Sequence, residues 1–322
     1  MTRPSAVPPP VTAVLDASSR WLPARLGEVE DLLREQGADY GEPLAADVAT
    51  TLAAGGKRLR PLLVLLCAGP GPAGGEAVRS AAAIELVHMA TLVHDDVLDD
   101  APLRRGLPTI AASAGRSRAT AAGDLLFSRA FALLGEHDDA RAIALLAAAS
   151  VSLADGELAQ RQDAFDTGVT EQRYLDRCRL KTATLFECAC LLGRDLPALG
   201  DFGAQIGLAF QLLDDVLDVS GPVERTGKAR GTDLLDGTVT LPLIVAAEAD
   251  PSIREVDLRA LDPASAERLC DRVVATGALD RVRSRALELV GSAKAELDGD
   301  AFEAEQRQLL GLVADGVVQR YS

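Results

Sequence analysis

Aromatic side chains are scarce in this sequence of 322 residues, of which Phe, Trp and Tyr together make up only 3%. β-Sheets favour aromatic and β-branched residues, so this scarcity counts against a β-rich fold. An alternation of period two persists nowhere, whereas Ala and Leu, which favour helices, dominate the apolar positions. We therefore predict an all-α fold, organised as one domain over residues 11–322.

Segments that would anchor or export a protein are also missing. The longest apolar run, Ala142–Ala154, is too short to span a bilayer, so we predict no transmembrane segment and interpret the run as a buried core helix. Residues 1–10 are rich in proline and lack an apolar stretch, which indicates a disordered tail rather than a signal peptide. The five cysteines include no C-x-x-C pair, which favours reduced core residues in a cytoplasmic protein.

Positive charge is in short supply as well. The 33 Lys and Arg residues are outnumbered by 48 Asp and Glu residues, which gives a net charge of −15. So acidic a molecule is a poor partner for nucleic acid or for an anionic membrane surface. An anionic substrate would have to be attracted locally, by a metal ion and by a few Lys and Arg side chains.

What the chain has instead is a set of carboxylates in apolar sequence. The stretch Thr91–Gly106, TLVHDDVLDDAPLRRG, places Asp95, Asp96 and Asp99 directly after an apolar run. In a helix, Asp95 and Asp99 lie one turn apart on one face, where like charges repel. A divalent cation would relieve this repulsion and the cost of burying carboxylates. A solvated acidic face is the alternative.

A second copy of the letters DDVLD favours the cation. It supplies Asp214, Asp215 and Asp218, again inside an apolar segment. The two helices are far apart in sequence but could face each other across a bundle. Mg²⁺ is typically held by one or two carboxylates, by waters and by substrate phosphates. The expected ligand of the two clusters is therefore a diphosphate together with Mg²⁺.

Two further stretches are candidates for contact with such an anion. The stretch Ala53–Pro61, AAGGKRLRP, concentrates Lys57, Arg58 and Arg60 around two glycines, although an ordinary basic turn is the alternative. Gly221–Gly237 is a charged, glycine-rich loop, which makes it a candidate lid.

Together these stretches resemble the polyprenyl synthetase family, the trans-prenyltransferases that build linear isoprenoid diphosphates. The matching motifs occur in order between residues 55 and 242 as GGKRLRP, ELVH, HDDVLDDAPLRRG, GD, KTATLF, QLLDDVLD, GKARGTDL and TLP. The resemblance implies an all-α helical bundle of the isoprenoid synthase type around a central cavity, assembled as a homodimer. It also implies head-to-tail condensation of isopentenyl diphosphate with an allylic diphosphate, giving an all-trans polyprenyl diphosphate.

The resemblance implies a role for each matching residue. Isopentenyl diphosphate would be bound by Lys57, Arg60, His88 and Arg105. The allylic diphosphate would be bound by Arg104, Lys181 and Lys228. Mg²⁺, as three ions with diphosphate bound, would be held by Asp95, Asp96, Asp99, Asp214 and Asp215, with Asp218 supporting them. Thr182 and Gln211 would direct oxygen atoms at the carbon that becomes cationic.

Two positions depart from the family pattern. The family often has Lys two residues before its TLP, where this chain has Thr238, and Pro where this chain has Ala229. Allylic diphosphate binding is therefore expected to lose one contact. A terpene cyclase would share the fold, and a squalene-type condensing enzyme would share the two acidic clusters, but neither needs the basic turn. The remaining alternative is a non-catalytic subunit of a heteromeric synthase, although such subunits usually lose motif residues.

Product length in the family depends on side chains just before the first cluster. Here Ala90 and Thr91 are both small, so no floor is expected there, and Phe127 and Phe131 are the expected floor of the tunnel. Each helical turn adds about 5.4 Å of depth. We predict a product longer than geranylgeranyl diphosphate, with a geranylgeranyl diphosphate synthase as the alternative, and we expect Ala90→Tyr to shorten it.

Overall fold

The structure is a computed structural model, and it describes residues 9–18, 21–38, 44–53, 58–71, 74–104, 106–136, 139–221 and 230–319. The helices up to residue 162 are α1 (Pro9–Ala17), α2 (Leu22–Ala38), α3 (Leu44–Ala53), α4 (Leu59–Ala68), α5 (Gly74–Leu98), α6 (Ile110–Ala114), α7 (Arg116–Gly135) and α8 (Ala140–Gln162). The later helices are α9 (Glu171–Cys178), α10 (Thr184–Gly193), α11 (Pro197–Ser220), α12 (Thr232–Leu235), α13 (Leu241–Ala249), α14 (Pro263–Ala275), α15 (Ala278–Glu296) and α16 (Ala304–Gln319).

The predicted all-α class is confirmed. Strand structure among the described residues is limited to one hairpin, in which β1 (Leu103–Arg104) pairs antiparallel with β2 (Leu107–Pro108). The chain divides into two compact units, the first of residues 1–150, 188–200 and 299–313, the second of residues 151–187, 201–298 and 314–322. The single domain inferred from the sequence stays a prediction. Residues 1–8 of the expected tail lie outside the described residues, and Pro9 already begins α1.

In the first unit, α5 is the helix against which others pack. It contacts α2, α4, α6 and α7. Helix α4 is apolar on nearly all sides, and every residue from Pro61 to Cys67 is buried, as expected of a helix without a polar face. The first acidic cluster therefore ends a helix that packs against four others, α2, α4, α6 and α7.

In the second unit, α13 has a similar place. Its residues from Leu241 to Ala247 are buried, and it contacts α9, α14 and α15. Helix α9 leads into a π-helix, Arg179–Ala183, before α10 begins. The sequence predicts one uninterrupted helix from Thr170 to Leu192, so this interruption is a correction. A π-helix accommodates an extra residue in one turn and is frequent at functional sites.

Two helix starts follow from the sequence and are confirmed. The Thr170 hydroxyl accepts a hydrogen bond from the Arg173 N–H and caps α9. Asp262 and Ser265 form a capping box at the start of α14. Proline favours the first position of a helix, so the sequence predicts a helix that starts at Pro61. The structure corrects this, because α4 begins at Leu59 and Pro61 lies inside its first turn.

Helix α8 is not the buried core helix that its composition suggests. Only 28% of its most apolar window is buried, so this prediction is wrong. The pattern of Ala and Leu shows that the helix is apolar but not what covers it. Among the described residues, α8 is the helix long and apolar enough to cross a membrane, judged by length and composition alone. All five cysteines are buried and none forms a disulfide, which confirms their interpretation as reduced core residues.

Candidate active site

The last turn of α5 presents only part of the first acidic cluster to solvent. With 3.6 residues per turn, Asp99 lies about 40° around the helix axis from Asp95, and Asp96 lies about 100° from Asp95. Asp99 is exposed and Asp95 is half-buried, whereas Asp96 is only 6% exposed. The first and fifth residues of DDVLD are thus accessible, and the second is buried.

Asp96 has a cationic partner inside the protein. Nε of Arg104, on β1, donates to Asp96 Oδ1 at 2.7 Å. The chain turns back toward the cluster because Asp100 adopts a φ of 49° and the Ala101 N–H donates to the Asp96 carbonyl oxygen at 3.1 Å. Asp96 therefore holds beside the cluster an arginine that the family resemblance assigns to diphosphate binding.

Helix α7 approaches α5 closely at the same level. A Cβ atom on Gly123 would lie 2.2 Å from His94 Nε2, so a larger residue here would require the His94 ring to move. The His94 ring stacks on Phe127 with centroids 5.9 Å apart, and Nε2 lies 3.3 Å from Asp124 Oδ1. Phe127, which the sequence places in the floor of the tunnel, therefore packs at the level of the aspartates.

One face of α5 remains accessible below the cluster. His88, Thr91, Leu92 and Asp95 are half-buried and recur at the spacing of a single helical face. Ala90 is fully buried, with 0% exposure. Of the two small residues that the sequence places beside the growing product, only Thr91 therefore lies on the accessible face.

The basic turn is bound to the first unit through Arg58. Residues 54–57, which include Lys57, lie outside the described residues. Arg58 precedes α4 with a φ of 47°, and its guanidinium donates to Glu30 at 2.5 and 3.2 Å, to Glu85 at 2.7 Å and to the Leu52 carbonyl oxygen at 3.0 Å. These acceptors belong to α2, α3 and α5, so one side chain joins three helices to the turn.

Glu85 connects this turn to His88, which follows it by one turn on α5. Glu85 is buried and receives its hydrogen bond from Arg58. Burial lowers the pKa of Arg60 to about 10 against the opposing effect of Glu85, so Arg60 remains a cation at neutral pH. The predicted contacts Arg60 and His88 thus lie near a charged centre that the sequence analysis did not identify.

The second acidic cluster repeats the pattern of the first. Asp214 is exposed and Asp218 is half-buried, whereas Asp215 is only 2% exposed. The N–H of Asp233 donates to Asp218 Oδ2 at 3.3 Å, which places a further acidic residue beside the cluster. Burial, with the charge of Asp233 as a further cause, raises the pKa of Asp215 well above its ordinary value.

Both carboxylate oxygens of Asp215 accept hydrogen bonds from side chains. The Tyr174 hydroxyl donates to Oδ2 at 2.5 Å, and Gln211 Nε2 donates to Oδ1 at 2.8 Å. The Thr182 hydroxyl in turn donates to Gln211 Oε1 at 2.8 Å. The structure thus brings together Thr182, Gln211 and Asp215, which the sequence predicts as site residues, and adds Tyr174.

The π-helix carries Lys181 and Thr182 in a tightly packed segment. A Cβ atom on Gly156 of α8 would lie 2.6 Å from the Lys181 backbone nitrogen, and one on Gly207 of α11 would lie 2.8 Å from the Ala183 Cα. Lys181 Nζ lies 2.5 Å from Glu157 Oε2. Burial acts to raise the pKa of Glu157, but Lys181 and Arg161 outweigh it and hold that pKa below its ordinary value.

The donor set fits Mg²⁺. The accessible side chains of both clusters are carboxylates, and hard oxygen ligands suit this ion. Among the described residues, no group of three His, Cys, Asp or Glu side chains converges as a ready-made metal site. Such a set suits an ion whose remaining ligands are waters and substrate phosphates.

Some predicted residues cannot be placed, and others were missed. Lys57, Arg105 and Lys228 lie outside the described residues. The residues that the sequence analysis missed are Glu30, Glu85, Glu157, Tyr174 and Asp233. Glu85 and Asp233 lie inside the motifs ELVH and GKARGTDL, so the motifs could have indicated them. No sequence pattern points to Tyr174.

Comparison with known proteins gives consistent matches. The sequence model of the polyprenyl synthetase family matches residues 42–275. The chain is 42% identical over 226 residues to heptaprenyl diphosphate synthase component 2 of Geobacillus stearothermophilus, covering 67% of this chain and 70% of the relative. It is 35% identical over 307 residues to the geranylgeranyl pyrophosphate synthase of Geoglobus acetivorans, covering 91% and 95%.

A solved structure is similar over almost the whole chain. It is a polyprenyl synthase from Caulobacter crescentus CB15, complexed with calcium and isoprenyl diphosphate. The TM-score is 0.87 at 32% sequence identity, and the match covers 99% of this chain and 100% of the other.

Proposed function

The chain belongs to the polyprenyl synthetase family and is a prenyltransferase, and from this premise we propose that it condenses isopentenyl diphosphate head to tail with an allylic diphosphate. The products are diphosphate and an all-trans polyprenyl diphosphate, and turnover requires Mg²⁺, with three ions present when diphosphate is bound. The family match includes both acidic clusters and Arg58 and Arg60 of the basic turn, since it runs over residues 42–275.

The observation that carries this proposal is the common arrangement of the two acidic clusters. In each cluster the first and fifth residues of DDVLD are exposed or half-buried, while the second is buried against donors from the protein. Carboxylates one turn apart on an accessible face repel each other unless a cation lies between them. The same unusual pattern, formed twice, supports Mg²⁺ binding at both clusters.

The residues that would hold Mg²⁺ are the accessible ones, Asp95, Asp99, Asp214 and Asp218. Bound Mg²⁺ would neutralise the charge that develops on the allylic diphosphate as it leaves. Asp96 and Asp215, which the resemblance also names as ligands, bind protein donors in this structure.

The cationic side chains would divide between two diphosphates. Lys181 and Arg104 would bind the allylic diphosphate, and Arg60 and His88 the isopentenyl diphosphate. Thr182 and Gln211 would direct oxygen atoms at the allylic cation, which the isopentenyl double bond attacks. The released diphosphate would then take the proton that the condensed product loses. From the resemblance alone, we propose that Lys228 binds the allylic diphosphate and that Lys57 and Arg105 bind isopentenyl diphosphate.

For product length, we propose a chain longer than geranylgeranyl. The support is Thr91, a small residue on the accessible face of α5 one turn before Asp95. The relative from Geobacillus stearothermophilus is named for a heptaprenyl product, and the one from Geoglobus acetivorans for a geranylgeranyl product. A geranylgeranyl diphosphate synthase is therefore the second candidate.

For assembly, we propose a homodimer formed through α8. The exposed residues on α8 include Ala144, Ala148, Val151, Asp155 and Leu158. Their alternating spacing of four and three residues is that of a helix–helix seam, and Val151 and Leu158 are 62% and 61% exposed. A second copy of the chain would cover the apolar members of this stripe, Ala144, Ala148, Val151 and Leu158. We place the enzyme in the cytoplasm, because none of its five cysteines forms a disulfide.

The test is incubation of the chain with labelled isopentenyl diphosphate, Mg²⁺ and allylic primers of increasing length, followed by sizing of the products. We expect the chain alone to elongate the primer beyond twenty carbons. Asp95→Ala and Asp214→Ala should each lower kcat by about 10²–10³-fold, because each removes a group that stabilises developing charge. If product appears only after a second subunit is added, the chain is a component of a heteromeric synthase. Absence of product under every condition would refute the proposal.

A further inference from the structure

Asp214 and Asp215 are adjacent in the sequence, yet they have opposite environments. Asp214 is exposed, whereas Asp215 is 2% exposed and accepts hydrogen bonds on both oxygens. The donors are the Tyr174 hydroxyl on one side and Gln211 Nε2 on the other. A carboxylate so enclosed has its strongest interactions with the protein, and Asp214 is the member of the pair that can meet an ion from solvent.

Tyr174 is itself held firmly. It is 1% exposed, and the Arg177 guanidinium lies 5.4 Å from the centroid of its ring. Burial, followed by the charge of Asp215, raises the pKa of its hydroxyl well above the ordinary value, so the hydroxyl stays a donor at neutral pH. Its hydrogen bond to Asp215 Oδ2 is buried, and a buried polar group that loses its partner is costly.

The consequence of this arrangement lies in Gln211. A glutamine amide has an oxygen that accepts hydrogen bonds and an NH₂ group that donates them, and rotation of the amide exchanges their positions. In this structure Nε2 of Gln211 points toward Asp215 and donates to its Oδ1 at 2.8 Å. Oε1 is then left on the other side, where the Thr182 hydroxyl meets it at 2.8 Å. Rotation of the amide would place N–H groups where an oxygen is needed to face a cation.

We infer that Tyr174 and Asp215 are positioning residues that fix the amide orientation of Gln211, so that its oxygen faces the allylic cation. This inference rests on the proposed prenyl condensation. It assigns a role to Tyr174 and gives Asp215 a function through Gln211 in place of Mg²⁺ coordination.

The first arm of the test uses Tyr174→Phe, which removes only the hydroxyl. We expect kcat for condensation to fall by about 10-fold, the effect of losing one buried hydrogen bond, with KM for both substrates within about 3-fold of wild type. In a Gln211→Ala background the same substitution should change kcat by less than about 2-fold, because its effect passes through the missing amide. Multiplicative effects in the double variant, or a wild-type kcat for Tyr174→Phe, would overturn the inference.

The second arm uses Asp215→Asn, which keeps the shape of the side chain but offers an N–H group as well as an oxygen. We expect this variant to lower kcat while the Mg²⁺ concentration for half-maximal activity stays within about 2-fold of wild type. Asp214→Asn, the matched neighbour, should raise that concentration by about 10-fold or more, since it weakens a carboxylate that would meet the ion. A comparable rise for Asp215→Asn would make it a metal ligand and overturn the inference.

The two arms remain informative if one variant folds poorly. Thermal unfolding of each variant establishes that the fold is retained, and Asp215→Asn tests the same contact as Tyr174→Phe from the other side. Wild-type activity is measured first. No product from wild-type enzyme would refute the proposed function, whereas an active wild type with unaffected variants would refute only the positioning roles.

Discussion

At the scale of single residues, the six aspartates of the two DDVLD clusters occupy two kinds of environment. The first and fifth residues of each cluster are accessible, and the second is buried. Helical geometry places the second residue of each cluster about 100° around the helix axis from the first and about 60° from the fifth. The sequence therefore predicts that the three aspartates lie near one another, but not that the second is the buried one. Which donors meet the second residue, Arg104 on a hairpin for Asp96 and Tyr174 with Gln211 for Asp215, depends on packing between distant segments. No local pattern specifies such partners.

Arg58 is the residue whose loss we expect to cost the most stability in the first unit. Arg58→Met would leave Glu85, which is buried, without the side chain that donates to it at 2.7 Å. Removing one partner of a buried ion pair typically costs about 3–5 kcal/mol. Urea unfolding should therefore show a free energy of unfolding lower by about this amount.

The control is Arg34→Met on α2. Arg34 pairs with Asp31, but both side chains are exposed, at 70% and 63%. An exposed pair contributes less than about 1 kcal/mol, so this variant should unfold almost as wild type does. If both variants lost the same free energy of unfolding, the hydrogen bonds of Arg58 would not stabilise the chain more than an exposed ion pair does.

At the scale of secondary-structure elements, the caps could be predicted and the π-helix could not. Thr170 and Asp262 precede apolar helical sequence, so local chemistry alone indicates the helix starts. The π-helix over Arg179–Ala183 has ordinary helical composition. The neighbouring glycines on α8 and α11 leave room beside it, and that relation is visible only in three dimensions.

Gly156 offers a direct test of that packing. In Gly156→Ala the new Cβ would lie 2.6 Å from the Lys181 backbone nitrogen, so α8 or the π-helix must shift. We expect a loss of about 1–3 kcal/mol in the free energy of unfolding, together with reduced turnover. Gly291→Ala on α15 is the matched control, since nothing lies within 4 Å of its Cβ position. It should stabilise the chain by about 0.5–1 kcal/mol, and a stabilised Gly156→Ala would contradict this account.

Helix α5 carries the prediction on product length. Thr91→Phe places a large ring on the accessible face one turn before Asp95, so products should become shorter by at least one isoprene unit. Ala90 is 0% exposed, and Ala90→Phe should instead destabilise the chain by about 1–3 kcal/mol through overpacking. Product sizing and urea unfolding of both variants separate the two effects. Shorter products from Ala90→Phe with unchanged stability would restore Ala90 as the residue that limits length.

At the scale of the whole molecule, the all-α class and the family could be predicted because both depend on composition and on motif order. Exposure could not. Helix α8 has the apolar content of a core helix, so its sequence predicts burial. In the structure, however, most of its apolar window is not buried. A sequence records which side chains are apolar, while the covering of an apolar face depends on every other segment and on partners.

The assembly prediction follows from that exposed stripe. In a variant that combines Val151→Glu with Leu158→Glu, two charges would enter an interface formed by a second copy. We expect size-exclusion chromatography with light scattering to show a dimer for wild type and a monomer for this variant. Leu287→Glu is the control, because Leu287 is also exposed, at 51%, but lies on α15. A dimer that survives the paired substitution would place the interface elsewhere.

The burial of every cysteine has a chemical consequence for the native chain. A thiol reacts as its thiolate, and burial raises the pKa of Cys178 to about 12 and that of Cys270 to about 11. Because both values exceed the unfolded value of about 8.5, these thiols contribute stability that is present below that pH and is lost as pH rises toward the folded values.

The folded chain should therefore be almost inert to a maleimide at neutral pH, whereas the unfolded chain offers five reactive thiols. The rate of labelling then measures how often the structure opens, since the chemical step is fast once a thiol is exposed. Mass spectrometry of the labelled chain would locate the segments that open first. Rapid labelling of all five thiols without denaturant would show that the native state does not protect them. The five cysteines thus serve as built-in labelling probes of local unfolding, with one in α4, one in α9, two in α10 and one in α14.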